Sequence, residues 1–294
     1  MKRVRKAVIP VAGLGTRFLP VTKTVPKELL PIVDKPILLF IVEEAVRAGI
    51  EEIIFVQGRG KTAIEDFFDT AFELEATLAK SNKLHLLKEI ETVREKIKVI
   101  SIRQQYALGL GHAVYAARPA VGDEPFALLL GDELMFPVPG FPSAIGQLCE
   151  HFAKQRTSIV SVMEVAACDV SKYGIVAVEE KQPGLWKILD VIEKPRLEEA
   201  PSRFALPGRY IFDAKIFEYL ANTKPGKNGE IQLTDSMTEL AKNEGLLATQ
   251  VQGRRFDAGD KLGYLQANIE AGLEHPELGE RFKNYLQDLV RGWS

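Results

Sequence analysis

Two patterns of apolar and polar positions alternate through the first half of the chain. Residues 7–12 form a short, nearly continuous apolar run that ends at glycines, the signature of a central parallel strand buried on both faces. From Pro36 the apolar residues Leu39, Phe40, Val42 and Val46 recur near helical spacing, and Gly49 closes the segment. That reads as a helix with a proline start and a glycine stop. Residues 53–56 are a second buried strand, and the order then repeats: a helix from about Lys61, a strand at 99–102, a helix at about 112–118 and a strand at 126–130. Such alternation predicts an α/β fold with a doubly wound, mixed and mostly parallel sheet, joined by right-handed crossovers. Ligands in that architecture bind beyond the carboxyl ends of the strands, where Gly13, Gln104 and Asp132 should gather.

Between two of these strands, residues 73–98 mix charges with Leu74, Leu78, Leu86, Leu87 and Ile90, which predicts inserted surface helices with a solvated face. After Ser158 short strands follow, at 159–165, 174–178, 186–193 and 209–212, separated by proline and glycine turns. They predict a smaller β-rich excursion covering the site. Residues 213–221, 234–243 and 261–289 read as helices, the last available for subunit packing.

With 294 residues, 46% of them hydrophobic and 27% charged, the chain can bury a substantial core, and disorder or a fibrous repeat is a poor reading. Length alone suggests about two domains, but an open α/β sheet with excursions accommodates all of it as one. Its parts are a first half over about 1–135, a second over about 158–260 and a helical segment over about 261–294. Lys and Arg number 38 against 40 Asp and Glu, a net charge of −2. No global field favours nucleic acid or an anionic membrane, so any anion needs a local site. The two cysteines, Cys149 and Cys168, have no Cys or His at metal spacing and are expected to be buried free thiols. The basic start followed by an apolar stretch has the outline of a secretory signal. It is short, however, contains Pro10 and runs into the glycines without a cleavage pattern. No stretch approaches the ~18 apolar residues of a membrane span, and a cytoplasmic location is expected.

The strongest chemical feature is Gly13-Leu14-Gly15-Thr16-Arg17-Phe18-Leu19-Pro20, with Lys23 and Pro26-Lys27-Glu28 following. Glycines after a buried strand let the backbone approach a ligand and can aim N–H groups at an anion. A bare glycine loop is equally a strand-to-helix turn; a guanidinium and two ammonium groups within a dozen residues supply what a triphosphate needs. Phe18 stands where a dinucleotide fingerprint needs its third glycine, and no Gly-Lys-Ser/Thr occurs, which excludes the dinucleotide and Walker patterns and speaks against a nicotinamide-dependent dehydrogenase.

At these residues the chain resembles the bacterial UTP–glucose-1-phosphate uridylyltransferases within the sugar nucleotidyltransferases. The resemblance continues in order through Gly58 to Lys61, Arg103-Gln104, Gly109-Leu110-Gly111-His112-Ala113, Lys172-Tyr173-Gly174, Val191 to Pro195, Gly208-Arg209-Tyr210, Gly229 to Asp235 and Phe256 to Gly263, nearly the full length. It implies a Rossmann-like nucleotidyltransferase fold and a reaction of UTP with glucose 1-phosphate giving UDP-glucose and pyrophosphate. It further implies that Ala12, Gly13, Gly15 and Glu28 lie along the nucleotide, that Gln104 reads an edge of the uracil and that Gly109 lets the base approach the backbone. An amide suits uracil because it both donates and accepts.

By the same resemblance Asp132 is a ligand of Mg²⁺, with Asp257 as second carboxylate and Glu133 as a competitor for the position. Gly174 and Gly208 would line the sugar pocket, Glu193 would bind sugar hydroxyls and Lys194 the sugar phosphate. Arg17 and Lys27 would neutralise the departing phosphates. Two departures bear on substrate preference: Leu108 stands where a lysine is common, and Arg203 replaces a common asparagine near the sugar pocket. A thymidylyl or adenylyl transferase, or a non-catalytic sugar-nucleotide sensor on the same fold, remains open from the residues alone. A homodimer or homotetramer is implied by the resemblance.

Overall fold

The first apolar run becomes the strand Lys6–Val11, and its neighbours explain why it shows no polar alternation. It pairs in parallel with Glu52–Gln57 on one side and Phe126–Leu129 on the other. Ala7, Ile9 and Val11 join one apolar layer with Ile53, Phe55, Ala127 and Leu129, while Val8 joins a second with Ile54, Val56, Phe126 and Leu128. Ala7, Val8, Ile9 and Val11 of this central strand therefore each meet a core, whichever way they point. These relations come from a computed structural model, which describes residues 3–226 and 229–293; Met1 and Lys2 of the basic start lie outside the described residues.

One sheet of eleven strands organises the molecule. Lys98–Arg103, Glu52–Gln57, Lys6–Val11 and Phe126–Leu129 run parallel, Arg209–Phe212 inserts against them, and Ile159–Ser161 and Leu247–Thr249 resume the first direction. This is the mixed, mostly parallel doubly wound arrangement. Beyond it Leu185–Glu193, Gly174–Gln182, Phe204–Ala205 and Met163–Glu164 pair antiparallel and form the β-rich excursion. A separate antiparallel ribbon of Glu133–Phe136 with Arg254–Asp257 crosses the end of the sheet.

Several boundaries differ from expectation for identifiable reasons. The terminal helix divides into Lys261–Glu274 and Gly279–Arg291, because Pro276 cannot continue the first helix and restricts His275 to an extended conformation. Residues 159–165 split into Ile159–Ser161 and Met163–Glu164, which join different parts of the sheet. The helix expected at 112–118 starts at Leu110 and stops at Ala116. Helix Ala144–Gln155, capped by the Ser143 hydroxyl accepting from Gly146 N–H, and strand Leu247–Thr249 went unread, as did both strands of the ribbon. The thiol expectation fails for one cysteine: Cys168 is exposed, in the turn Ala167–Lys172, while Cys149 is half-buried and burial pushes its pKa up to about 12. Among the described residues no helix is long and apolar enough to cross a membrane.

Candidate active site

Past Val11 the chain leaves the sheet as a loop wrapped around the stem of Lys27. A side chain at Gly13 would meet Lys27 Cε at 3.6 Å, and one at Gly15 would meet Lys27 Cβ and Thr22 Cγ2, both at 3.2 Å. Gly15 also holds φ 67°, and its carbonyl accepts the Thr22 hydroxyl at 2.8 Å. Gly58 passes so near that its Cβ would lie 3.1 Å from the Ala12 carbonyl. The glycines are thus needed for the loop's own closeness, which brings Lys27 forward to the next strand end.

There Lys27 Nζ donates to Asp132 Oδ2 at 2.5 Å. Burial opposes charge on both partners, yet their mutual attraction wins: the Lys27 ammonium is held above its ordinary pKa and the Asp132 carboxyl below its own. Beneath the loop Lys61 Nζ donates to Glu28 Oε2 at 2.6 Å. Glu28 is only 1% exposed, and burial raises its pKa against the pull of Lys61 and Lys27. The carboxylate expected along the nucleotide is therefore held under the loop by Lys61 in this structure.

Of the expected residues, Arg17, Asp132, Gly174, Glu193, Lys194 and Asp257 line one cleft of about 910 Å³. Arg17 Nη1 reaches across to the Gly259 carbonyl at 3.2 Å. Gly259 lies between two carboxylates: a Cβ there would sit 2.7 Å from Asp132 Oδ2 and 3.1 Å from Asp257 Oδ1, the latter accepting Gly259 N–H at 2.9 Å. On the opposite wall a Cβ at Gly174 would meet Glu193 Oε2 at 3.3 Å, and Lys194 Nζ lies 3.3 Å from Glu193 Oε1. Gly208 stands behind this wall with φ 86°, where a Cβ would strike Leu130 at 2.9 Å.

The expected base-reading residues lie at another edge. Gln104 Nε2 donates to the Gly109 carbonyl at 3.1 Å and approaches His112 Nδ1 at 3.0 Å. A Cβ at either Gly109 or Gly111 would lie 2.8 Å from the Ile231 carbonyl, so the chain's own backbone already accounts for both glycines.

Among the described residues no group of three or more His, Cys, Asp or Glu side chains is placed to hold a metal ion by itself. Two convergent carboxylates nevertheless suit Mg²⁺, which usually takes one or two and fills its shell with water and phosphate oxygens. Glu133 is turned elsewhere: both its oxygens accept from Arg255, each at 2.6 Å. Burial pushes the Glu133 carboxyl up to about 7 even so.

Several participants were not singled out from sequence. Arg255, Tyr173 and Thr234 line the cleft, and the buried Thr234 hydroxyl has no hydrogen-bond partner among the described residues. Arg209 and Glu44 form a fully buried pair behind it. Arg255, Tyr173, Thr234 and Arg209 each stand next to or within a quoted motif, so position could have flagged them; Glu44, in the helix Ile37–Arg47, does not, and the pairings had no sequence signal. Arg203, expected near the sugar pocket, is absent from the cleft lining and pairs with Glu164, both side chains exposed. The Leu108 carbonyl accepts Ile231 N–H at 2.7 Å, with its side chain exposed.

A family model described as nucleotidyl transferase matches residues 6–272. A UTP–glucose-1-phosphate uridylyltransferase of Bacillus subtilis is 47% identical over 290 residues, covering 99% of this chain and 97% of that protein. The chain belongs to the nucleotidyl transferase family. Another member, a UTP–glucose-1-phosphate uridylyltransferase of Staphylococcus epidermidis, is 41% identical over 289 residues, with 98% and 99% covered. Solved structures of the family superpose closely. A UDP-glucose pyrophosphorylase complexed with UDP-glucose gives a TM-score of 0.85 at 44% identity, covering 91% of this chain and 98% of that one. A UTP-bound UDP-glucose pyrophosphorylase from Acinetobacter baumannii gives 0.89 at 42% identity, covering 97% and 99%.

Proposed function

We propose that this chain transfers the uridylyl group of UTP to glucose 1-phosphate, forming UDP-glucose and pyrophosphate. The observation that carries the reading is the convergence of Arg17, Asp132, Asp257, Glu193 and Lys194 on one cleft, in a chain whose near-full-length relatives are uridylyltransferases and whose structural relatives hold UTP or UDP-glucose.

In this mechanism a phosphate oxygen of glucose 1-phosphate attacks the α-phosphorus of UTP in line. The bond from that phosphorus to the α–β bridging oxygen breaks, and pyrophosphate leaves with the electron pair. The attacking group is already an anion near neutral pH, so no general base is needed and rate comes from positioning and charge neutralisation. Arg17 and Lys27 stabilise the charge that gathers on the departing phosphates. Lys194 holds the attacking phosphate, Glu193 accepts hydrogen bonds from sugar hydroxyls, Gly174 keeps the pocket wall flat, and Gly208 lets Leu130 pack behind that wall. Thr234, whose hydroxyl has no hydrogen-bond partner among the described residues, adds a polar group to the same pocket. Asp132 and Asp257 would hold Mg²⁺, which when bound withdraws charge from the phosphoryl oxygens.

The loop of Ala12, Gly13 and Gly15 carries the triphosphate side, with Glu28 supporting it from below through Lys61. Gln104 and Gly109 frame the base. The halves at about 1–135 and 158–260 thus take nucleotide and sugar respectively, with 261–294 as a helical segment suited to a homodimer or homotetramer, and the protein works in the cytoplasm without nucleic acid or membrane.

The test is pyrophosphate release from each nucleoside triphosphate in turn, with Mg²⁺ and glucose 1-phosphate. Release with UTP well above the others is expected. Release confined to dTTP or ATP would keep the chemistry and change the base, and none with any nucleotide would leave the sensor reading in its place.

A further inference from the structure

Arg255 joins the two sides of the cleft. It stands on the ribbon strand Arg254–Asp257, and its Nε and Nη2 donate to the two Glu133 oxygens, each at 2.6 Å. Nη1 donates to the Tyr173 hydroxyl at 2.8 Å, and the guanidinium carbon lies 5.0 Å from the Tyr173 ring centroid. Tyr173 precedes Gly174, and its carbonyl accepts Lys194 N–H at 3.0 Å. Lys194 has φ 45°, a left-handed backbone that residues with side chains seldom adopt and that persists only where neighbours fix it.

From this chain of contacts we infer that Arg255 is a positioning residue for the sugar 1-phosphate, rather than a staple between strands. Through Tyr173 it fixes the backbone from which Gly174 and Lys194 face the cleft, and through Glu133 it ties that backbone to the strand that follows Asp132. An ion pair with Glu133 alone would fasten the ribbon. The third donor, directed to a hydroxyl on the other wall, sets the distance between the walls. Only a planar fork reaches both partners; an ammonium acts from one point.

The inference rests on the uridylyl-transfer reading, and its test separates the two. Arg255→Ala, Arg255→Lys and Tyr173→Phe are made in the full chain, and kcat, the KM for each substrate and thermal stability are measured. Tyr173→Phe keeps the ring and removes only the acceptor, so it decides the matter if the arginine variants do not fold. The KM for glucose 1-phosphate should rise roughly tenfold in Arg255→Ala and roughly threefold in Tyr173→Phe, with the KM for UTP within about twofold. Arg255→Lys should resemble Arg255→Ala. A Tyr173→Phe enzyme with an unchanged KM for glucose 1-phosphate, or variants in which both KM values rise together as stability falls, would reduce Arg255 to a structural staple. An unsubstituted chain that releases no pyrophosphate from UTP would instead overturn the parent reading, and this inference with it.

Discussion

Replacing Arg209 should destabilise the protein more than any change in the cleft itself. Arg209 is fully buried and Glu44 nearly so. The guanidinium donates to Glu44 through Nε to both oxygens at 3.1 Å and through Nη2 at 2.8 Å, and further to the carbonyls of Glu133 at 2.6 Å and Gly208 at 3.2 Å. Glu44 also accepts Ile145 N–H at 3.0 Å. Arg209→Met would leave a carboxylate without its cation in the core, at a cost of about 3–5 kcal/mol. At about 2 °C per kcal/mol for a chain of this size, the melting temperature should fall by roughly 6–10 °C. Because whole-domain stability is only about 5–15 kcal/mol, that is a large share. Calorimetry or circular dichroism on melting reads the effect, and the double variant Glu44→Gln/Arg209→Met supplies the control. With the charge removed as well, the double variant should melt above Arg209→Met alone. A single variant within about 2 °C of the parent, or a double variant melting lower than the single, would refute the account of a charge stranded in the core.

Four further outcomes follow from the site and its surroundings. Asp132→Asn keeps the shape but removes the charge, so kcat should fall on the order of a hundredfold, and the apparent affinity for Mg²⁺, read by titration of activity, should weaken with it. Burial pushes the Glu133 carboxyl up to about 7 in the folded state, against the pull of Arg255, whereas an unfolded glutamate titrates near 4.3. The folded state then binds more protons between these values, and stability should fall as pH rises through that window; urea unfolding at pH 5 and pH 7.5 should show a smaller drop for Glu133→Gln. Gly111→Ala places a Cβ 2.8 Å from the Ile231 carbonyl and should cost about 1–3 kcal/mol in urea unfolding, with the loss present even without nucleotide. Thr234→Val should raise the KM for glucose 1-phosphate by a few-fold, to about tenfold at most, and leave the KM for UTP alone; equal changes in both would remove Thr234 from the sugar pocket.

What could be read in advance was set by locality. The continuous apolar run at 7–12 and the helical spacing from Pro36 to Gly49 report burial directly, and both elements formed where expected. The ribbon strand Glu133–Phe136 is just as buried but follows the strand Phe126–Leu129 after only a short gap. Continuous hydrophobicity marked that region as core but could not reveal the change of sheet. Pro276 was visible, yet the apolar positions on either side suggested one helix through it. At the site the family resemblance, rather than periodicity, picked out Arg17, Asp132, Glu193, Lys194 and Asp257, and the structure brings these five to one cleft.

The unread part consists of partners. Lys61 beneath Glu28, Arg255 between Glu133 and Tyr173, and Arg209 against Glu44 and the Glu133 carbonyl are separated along the chain by 33 to 165 residues. Nothing in the spacing of a charged residue names the group that will neutralise it. Yet these pairs are what the proposed chemistry needs most. A reaction without a general base depends on charges held in place before substrate arrives, since any reorganisation during the step would be spent from the same stabilisation. Buried ion pairs resist such movement because shifting either member exposes a charge to an apolar interior. The motifs therefore supply the groups that touch substrate, and the distant partners supply the stiffness that makes those groups effective.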